Sequence, residues 1–312
     1  MGIFLAALIA VAVLLLTASP GYIFVKTKVF KEEAIPILSK LLLFVCSPAL
    51  VIYTFASTPF SVDMLKNLGL FVLATIAIHA VMLGGACLIL KKSFSSAVAR
   101  ISTIAVTFAN CAFFGIPIIE AVMGDAADSL IIYTTVYAMV MNLLGWTAGS
   151  AIISRSRKYI SLKKLFVNPY MISVLLALPI FIFSPPLPEE IMSMITILGK
   201  STTPISMLII GMRLATSELK AVFGNVKVYA TALVKLTIMP LVGFAVVYFF
   251  PLPPEAKQAF YIISACPAAS VVLNFSEILG EGQKEAAASV LLSTIMSIAT
   301  IPVMMLMLPL LG

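Results

Sequence analysis

The chain has 312 residues, a hydrophobic fraction of 62%, a mean hydropathy of +1.14 and only 11% charged residues; a soluble domain carries about 25% charged residues, so composition excludes one. The net charge of +7 is spread over short connections between apolar runs, which excludes a nucleic-acid partner and leaves a polytopic membrane protein. Four cysteines (Cys46, Cys87, Cys111, Cys266) lie in apolar runs without metal-ligand spacing and read as small buried residues.

Ten apolar segments are long enough to span, at roughly 17 to 25 residues each. They run Gly2 to Ser19, Ile35 to Thr58, Leu68 to Leu90, Val98 to Met123, Ser129 to Ile153, Pro169 to Phe183, Ile191 to Ala215, Val226 to Phe250, Ala256 to Leu279 and Ala286 to Leu311. The first reads as a spanning helix ending at Pro20-Gly21, because no charged region precedes it as in a cleaved leader. The second carries Lys40 and is expected to break at Ser47-Pro48. The third holds the only histidine, His79, with Gly84-Gly85 offering close helix approach.

The fourth segment contains the stretch Phe108-Ala109-Asn110-Cys111-Ala112-Phe113-Phe114-Gly115-Ile116-Pro117, followed by Glu120. Pro117 removes its own N–H and displaces the carbonyl of Phe113, a break that a bilayer tolerates only where protein or a polar cavity satisfies it. Asn110 stands twelve residues past Val98, about 18 Å into a core about 30 Å thick. The fifth segment is polar for its depth, with Thr135, Tyr137 and Asn142. The seventh carries Lys200 ahead of Thr202-Thr203-Pro204, and the eighth holds Lys235 near its centre. Each intramembrane lysine costs about 2.5 to 3.5 kcal/mol on insertion scales, and with no central acid to pair with, both suit an anionic substrate. The ninth is interrupted at Ser264-Ala265-Cys266-Pro267-Ala268-Ala269-Ser270, and the tenth carries Ser293-Thr294 before Pro302.

Pro117 and Pro267 are 150 residues apart, and Pro48 and Pro204 are 156 apart. Interrupted segments at matching places in both halves point to an internal duplication with a site between the halves. The odd-numbered connections hold fourteen Lys and Arg residues and the even ones only Lys66 and Lys257. This bias places the odd loops in the cytoplasm and both termini outside, so the five-span halves are inserted upside down to one another. The basic loop from Arg155 to Lys164 joins them as an orientation signal. Pro117 and Pro267 are each expected to start a half-helix whose positive N-terminal end favours a carboxylate. Asn110, Ser264 and Ser270 add donors. His79, Lys40 and Glu120 are candidates for proton coupling. One histidine and no grouped acids or ligands argue against an intramembrane enzyme, and polar groups gathered at mid-depth argue against a channel.

Asn110 to Pro117 in the pattern Asn-x-x-x-x-Gly-Ile-Pro, Pro267 followed by Asn274-Phe275-Ser276-Glu277, and Ser293-Thr294 ahead of Ile301-Pro302 resemble the auxin efflux carrier family. That family includes plant auxin carriers and bacterial transporters of malate, malonate and other carboxylates. The resemblance implies an all-α membrane protein of ten transmembrane helices, an inverted five-plus-five repeat with helices 4 and 9 broken and crossing as in sodium/proton antiporters. It implies a homodimer with a scaffold from residues 1–58 and 169–217, a moving transport domain from residues 66–153 and 224–312, and a linker at 154–168. Carried over, the substrate site is Asn110, Gly115, Pro117, Pro267 and their neighbours Ser264, Ser270 and Thr135, with no cofactor. Plant members carry an amide where this chain has Ala268. The expectation is a carrier of small organic anions in the inner (plasma) membrane.

Overall fold

The computed structural model describes residues 2–155, 169–217, 222–280 and 282–312. The basic linker from Arg157 to Lys164, and Lys220, lie outside the described residues, as do the side chains of Asn274 and Glu277. Among the described residues every element is helical. In chain order these are α1 (Ile3–Lys26), α2 (Ala34–Ser57), α3 (Val62–Ser93), α4 (Ala97–Thr107), α5 (Cys111–Met123), α6 (Ser129–Ser154), α7 (Pro169–Phe183) and α8 (Glu189–Thr216). They continue with α9 (Val226–Phe249) and α12 (Gln283–Met305), between which stand α10 (Pro254–Ala265) and α11 (Val271–Leu279). Seven of these are long and apolar enough to cross a membrane. Their outer surface is apolar, with Ile89, Phe183, Val226 and Phe249 each about four-fifths exposed, a face that suits hydrocarbon and not water.

Proline placement explains the local geometry, and it corrects three expectations. α1 does not stop at Pro20 but runs through it to Lys26, because the carbonyl of Leu16 that the proline strands accepts the Ser19 hydroxyl at 2.7 Å. The expected break at Ser47-Pro48 is absent: α2 continues across it with a π-turn at Leu42–Cys46. Its wider ring lets the chain pass a residue without an N–H. The same device, Cys111–Gly115, precedes Pro117. The half-helix α5 therefore begins at Cys111, upstream of Pro117, and α11 begins at Val271, downstream of Pro267. The carbonyl of Phe113 freed by Pro117 accepts the Ser206 hydroxyl from α8 at 3.3 Å.

α1 lies along α8 and also packs against α12 and α5, and α2 packs against α7 and the first half of α8; α3, α6, α9, α10 and α12 surround the interrupted segments. Gly84 and Gly85 have nothing within 4 Å of where a Cβ would stand, so they do not bring helices together. Gly21 and Gly211 do. A Cβ at Gly211 would fall on the carbonyl oxygen of Ala18, and one at Gly21 on that of Leu208.

Candidate functional site

The chain unwinds at residues 108–110 and 266–270, and the two unwound pieces meet. Ala109 and Ala268 form an antiparallel bridge in which Asn110 N–H donates to the Pro267 carbonyl at 2.8 Å and Ala269 N–H to the Phe108 carbonyl at 2.9 Å. Ala268 N–H donates to Ser293 Oγ at 3.1 Å. Buried backbone groups without partners are costly, and each interruption thus satisfies the other. The Asn110 carbonyl accepts Phe114 N–H at 3.2 Å and Gly115 N–H at 3.0 Å, closing the first turn of α5. A Cβ at Gly115 would make ordinary contact with Cys266 Sγ at 3.4 Å, so the crossing does not depend on glycine there.

A cavity of about 100 Å³ opens beside the bridge. The first residues of α5 and the entry to α11 both line it, through Cys111 to Phe113 and through Ser270 and Val271. Two helix N-termini with their partial positive charge therefore face one space. Asn110, Ser47, Asn142 and Tyr170 supply its polar wall. Asn110 Nδ2 and Ser47 Oγ are buried without a hydrogen-bond partner. Most buried polar atoms are paired, so two unpaired ones on the same wall call for a reason. A second cavity of about 280 Å³ lies between α8, α11 and α12, bounded by Arg213, Lys284, Ser276 and Thr294. Ser270 borders both cavities.

The other expected residues fall in three places. Thr135 is buried behind the cavity: its hydroxyl donates to its own helix at Ile131, while its carbonyl accepts the Tyr170 hydroxyl at 2.9 Å. His79, Lys235 and Ser264 form a buried layer on the far side of the bridge. His79 Nδ1 is 2.7 Å from the Thr75 carbonyl and its ring packs on Phe108 and Tyr137, with Nε2 unpartnered. Lys235 Nζ donates to Met239 Sδ at 2.8 Å and to the Ser264 carbonyl at 3.3 Å. Lys40 and Glu120 lie on the exposed surface. Lys200, expected to be buried, is exposed as well, its ammonium 5.9 Å from the centre of the Tyr53 ring. Its neighbour Gly199 takes the inward position against Leu50, and one residue along a helix turns the side chain by about 100°. Pro117 and Pro267 are buried at the crossing.

Ser47, Asn142 and Tyr170 were not singled out as site residues by sequence reasoning. Asn142 stood among the polar residues of the fifth segment and Ser47 beside a conspicuous proline, but Tyr170 gave no signal. Gly243 on α9 packs on this layer, since a Cβ there would stand 2.5 Å from Ser264 Oγ and 2.9 Å from Ser264 Cβ. Rotating the hydroxyl away cannot relieve both contacts. Gly243→Ala is expected to lower stability by about 1 to 3 kcal/mol, read as a lower melting temperature; an unchanged melting curve would refute the tight packing.

A family model described as Membrane transport protein matches residues 6–163 and 155–305. No curated protein matches the chain.

Proposed function

The chain belongs to the Membrane transport protein family, that of the auxin efflux carriers, and from that premise we propose that it is a secondary transporter of small organic anions working by alternating access. The observation that carries the reading is the pair of buried donors without partners, Asn110 Nδ2 and Ser47 Oγ, on a wall shared with two helix N-termini. A carboxylate satisfies both kinds of group at once, since it accepts several hydrogen bonds and carries the charge that a helix N-terminus favours. The volume argues for a small anion. At about 100 Å³ the cavity is well below the roughly 300 Å³ at which pockets for drug-sized ligands begin. A malonate- or malate-like acid fits that scale better than an indole acid.

In this reading the ten apolar segments make ten traverses in an inverted five-plus-five repeat. Residues 1–58 and 169–217 form the scaffold of a homodimer, and residues 66–153 and 224–312 move against it. The support is that α1 packs most extensively along α8, and α2 against α7 and the first half of α8, while α1 also meets α12 and α5 across the boundary between the two sets. The larger cavity is then the cytoplasmic vestibule. Arg213 and Lys284 at its edge attract the anion, and Ser270 passes it to Asn110. With both termini outside, the positive-inside rule puts that vestibule on the inner face of the plasma membrane. A cation antiporter of the same crossed build needs carboxylates at the crossing, and among the described residues none that lines the small cavity is acidic.

The test is uptake into proteoliposomes of labelled malate, malonate, oxalate, a monocarboxylate and indole-3-acetate, with and without an imposed pH gradient. Saturable uptake of a small carboxylate is the expected result. If folded protein carries none of the panel, the anion reading fails and cations or neutral solutes take its place.

A further inference from the structure

The C-terminal ends of α4 and α10 stop at the crossing as surely as the N-termini of α5 and α11 start there. Such ends carry partial negative charge, and in carriers with broken helices they and the unwound carbonyls coordinate the coupling cation. In this chain a side chain reaches that place. Lys235 is 0% exposed and its ammonium lies 3.3 Å from the carbonyl of Ser264, in the last turn of α10. Its other contact is Met239 Sδ, at 2.8 Å. Among the described residues, the titratable side chains that interact electrostatically with it are His79, Cys111 and Cys266, none of them a carboxylate.

The position is not isolated in the sequence. Lys235 follows His79 by 156 residues, the separation between Pro48 and Pro204. The third and eighth segments therefore present a nitrogen base at matching places in the two halves. His79 lies against Phe108, the residue just past the end of α4; Lys235 lies against the end of α10.

We propose that the Lys235 ammonium is a tethered cation that occupies the coupling-ion position at the crossing, so that the carrier holds its broken helices together without an inorganic cation. The consequence for transport, which rests on the anion reading above, is that substrate moves without sodium. The structural half stands apart from any substrate. Neutralising the end of α10 belongs to the resting fold, so it is read as stability.

The experiment measures melting of the purified full-length protein in choline, sodium and ethylammonium chloride, for the wild type, Lys235→Ala and Lys235→Met. The wild type is expected to melt at one temperature in all three salts. Lys235→Ala should melt lower in choline and be restored, saturably, by ethylammonium, whose charged head and short chain replace what was removed. Lys235→Met keeps the bulk without the charge, and should melt lower and respond to none of the salts. Sodium stabilising the wild type, or an Ala variant that ethylammonium leaves unmoved, overturns the proposal. Should the Ala variant not fold, the wild-type salt series and the Met variant still decide. Wild-type protein that transports no carboxylate would sink the anion reading while leaving these curves to judge Lys235.

Discussion

Asn110→Ala is expected to cut carboxylate uptake by about ten- to a hundredfold and leave the protein folded. The size follows from the interaction removed: a hydrogen bond to a charged group contributes about 1.5 to 3 kcal/mol, and each 1.4 kcal/mol is a factor of ten. Survival of the fold follows from how Asn110 is divided. Its backbone N–H holds the Pro267 carbonyl and its own carbonyl closes the first turn of α5; alanine keeps both. Its Nδ2 has no partner in the protein, so removing it strands nothing. Asn110→Asp should fail as completely for a different reason, because a carboxylate at the entry of α5 repels the substrate. Thr135→Ala is the contrast, since that hydroxyl is already bonded to Ile131 at 3.1 Å and its loss should leave uptake near wild type. The reading is tested by initial rates over a concentration series beside a melting curve for each variant. Full uptake by Asn110→Ala would remove the residue from the site.

Why Asn110 was legible in the sequence and Tyr170 was not comes down to where each signal resides. An amide and a proline in the middle of an apolar run cost free energy that only a particular surrounding can offset, so they announce a site without revealing its shape. The meeting of the two interruptions was readable from the matching breaks in the sequence, because two interrupted segments have one natural place to satisfy each other. The point of unwinding was not. It lies at Phe108 to Asn110, ahead of Pro117, because the π-turn and the Ser206 hydroxyl from α8 absorb the cost of the proline. That hydroxyl is 93 residues away along the chain. Pro20 misled in the same way on a smaller scale, its stranded carbonyl being met by the preceding serine. Tyr170 and Ser47 reach the cavity only because α2 and α7 pack beside the crossing, a tertiary fact with no local pattern. Lys200 and Lys235 looked alike as buried lysines and differ by helix phase alone: one points outward over Tyr53 and the other inward to Ser264.

Gly211→Leu is expected to prevent accumulation of folded protein, and Gly211→Ala to lower stability by about 1 to 3 kcal/mol or more. The argument begins with the solvent. Between helices in a bilayer there is little hydrophobic driving force, since lipid tails are as apolar as leucine, so association depends on close backbone contact at small residues. α1 and α8 achieve it reciprocally. Gly211 of α8 receives the backbone at Ala18 of α1, and Gly21 of α1 receives the backbone at Leu208 of α8. A methyl group at either site meets main-chain oxygen, which no side-chain rotation can relieve, so the helices must separate. On the proposed vestibule reading, separation reaches the transport route, because Ile210 and Arg213, on either side of Gly211, both line the larger cavity. Whatever Gly211→Ala protein does fold should therefore show a raised KM for anion offered at the vestibule side, with the opposite face less affected. Gly21→Ala should do the same, and the double variant should cost less than the sum of the two, since one separation of the helices relieves both clashes. Melting temperatures of the three variants, with sided uptake for those that fold, test the linkage. A Gly211→Ala protein that melts with the wild type would show that α1 and α8 are held by something other than this contact.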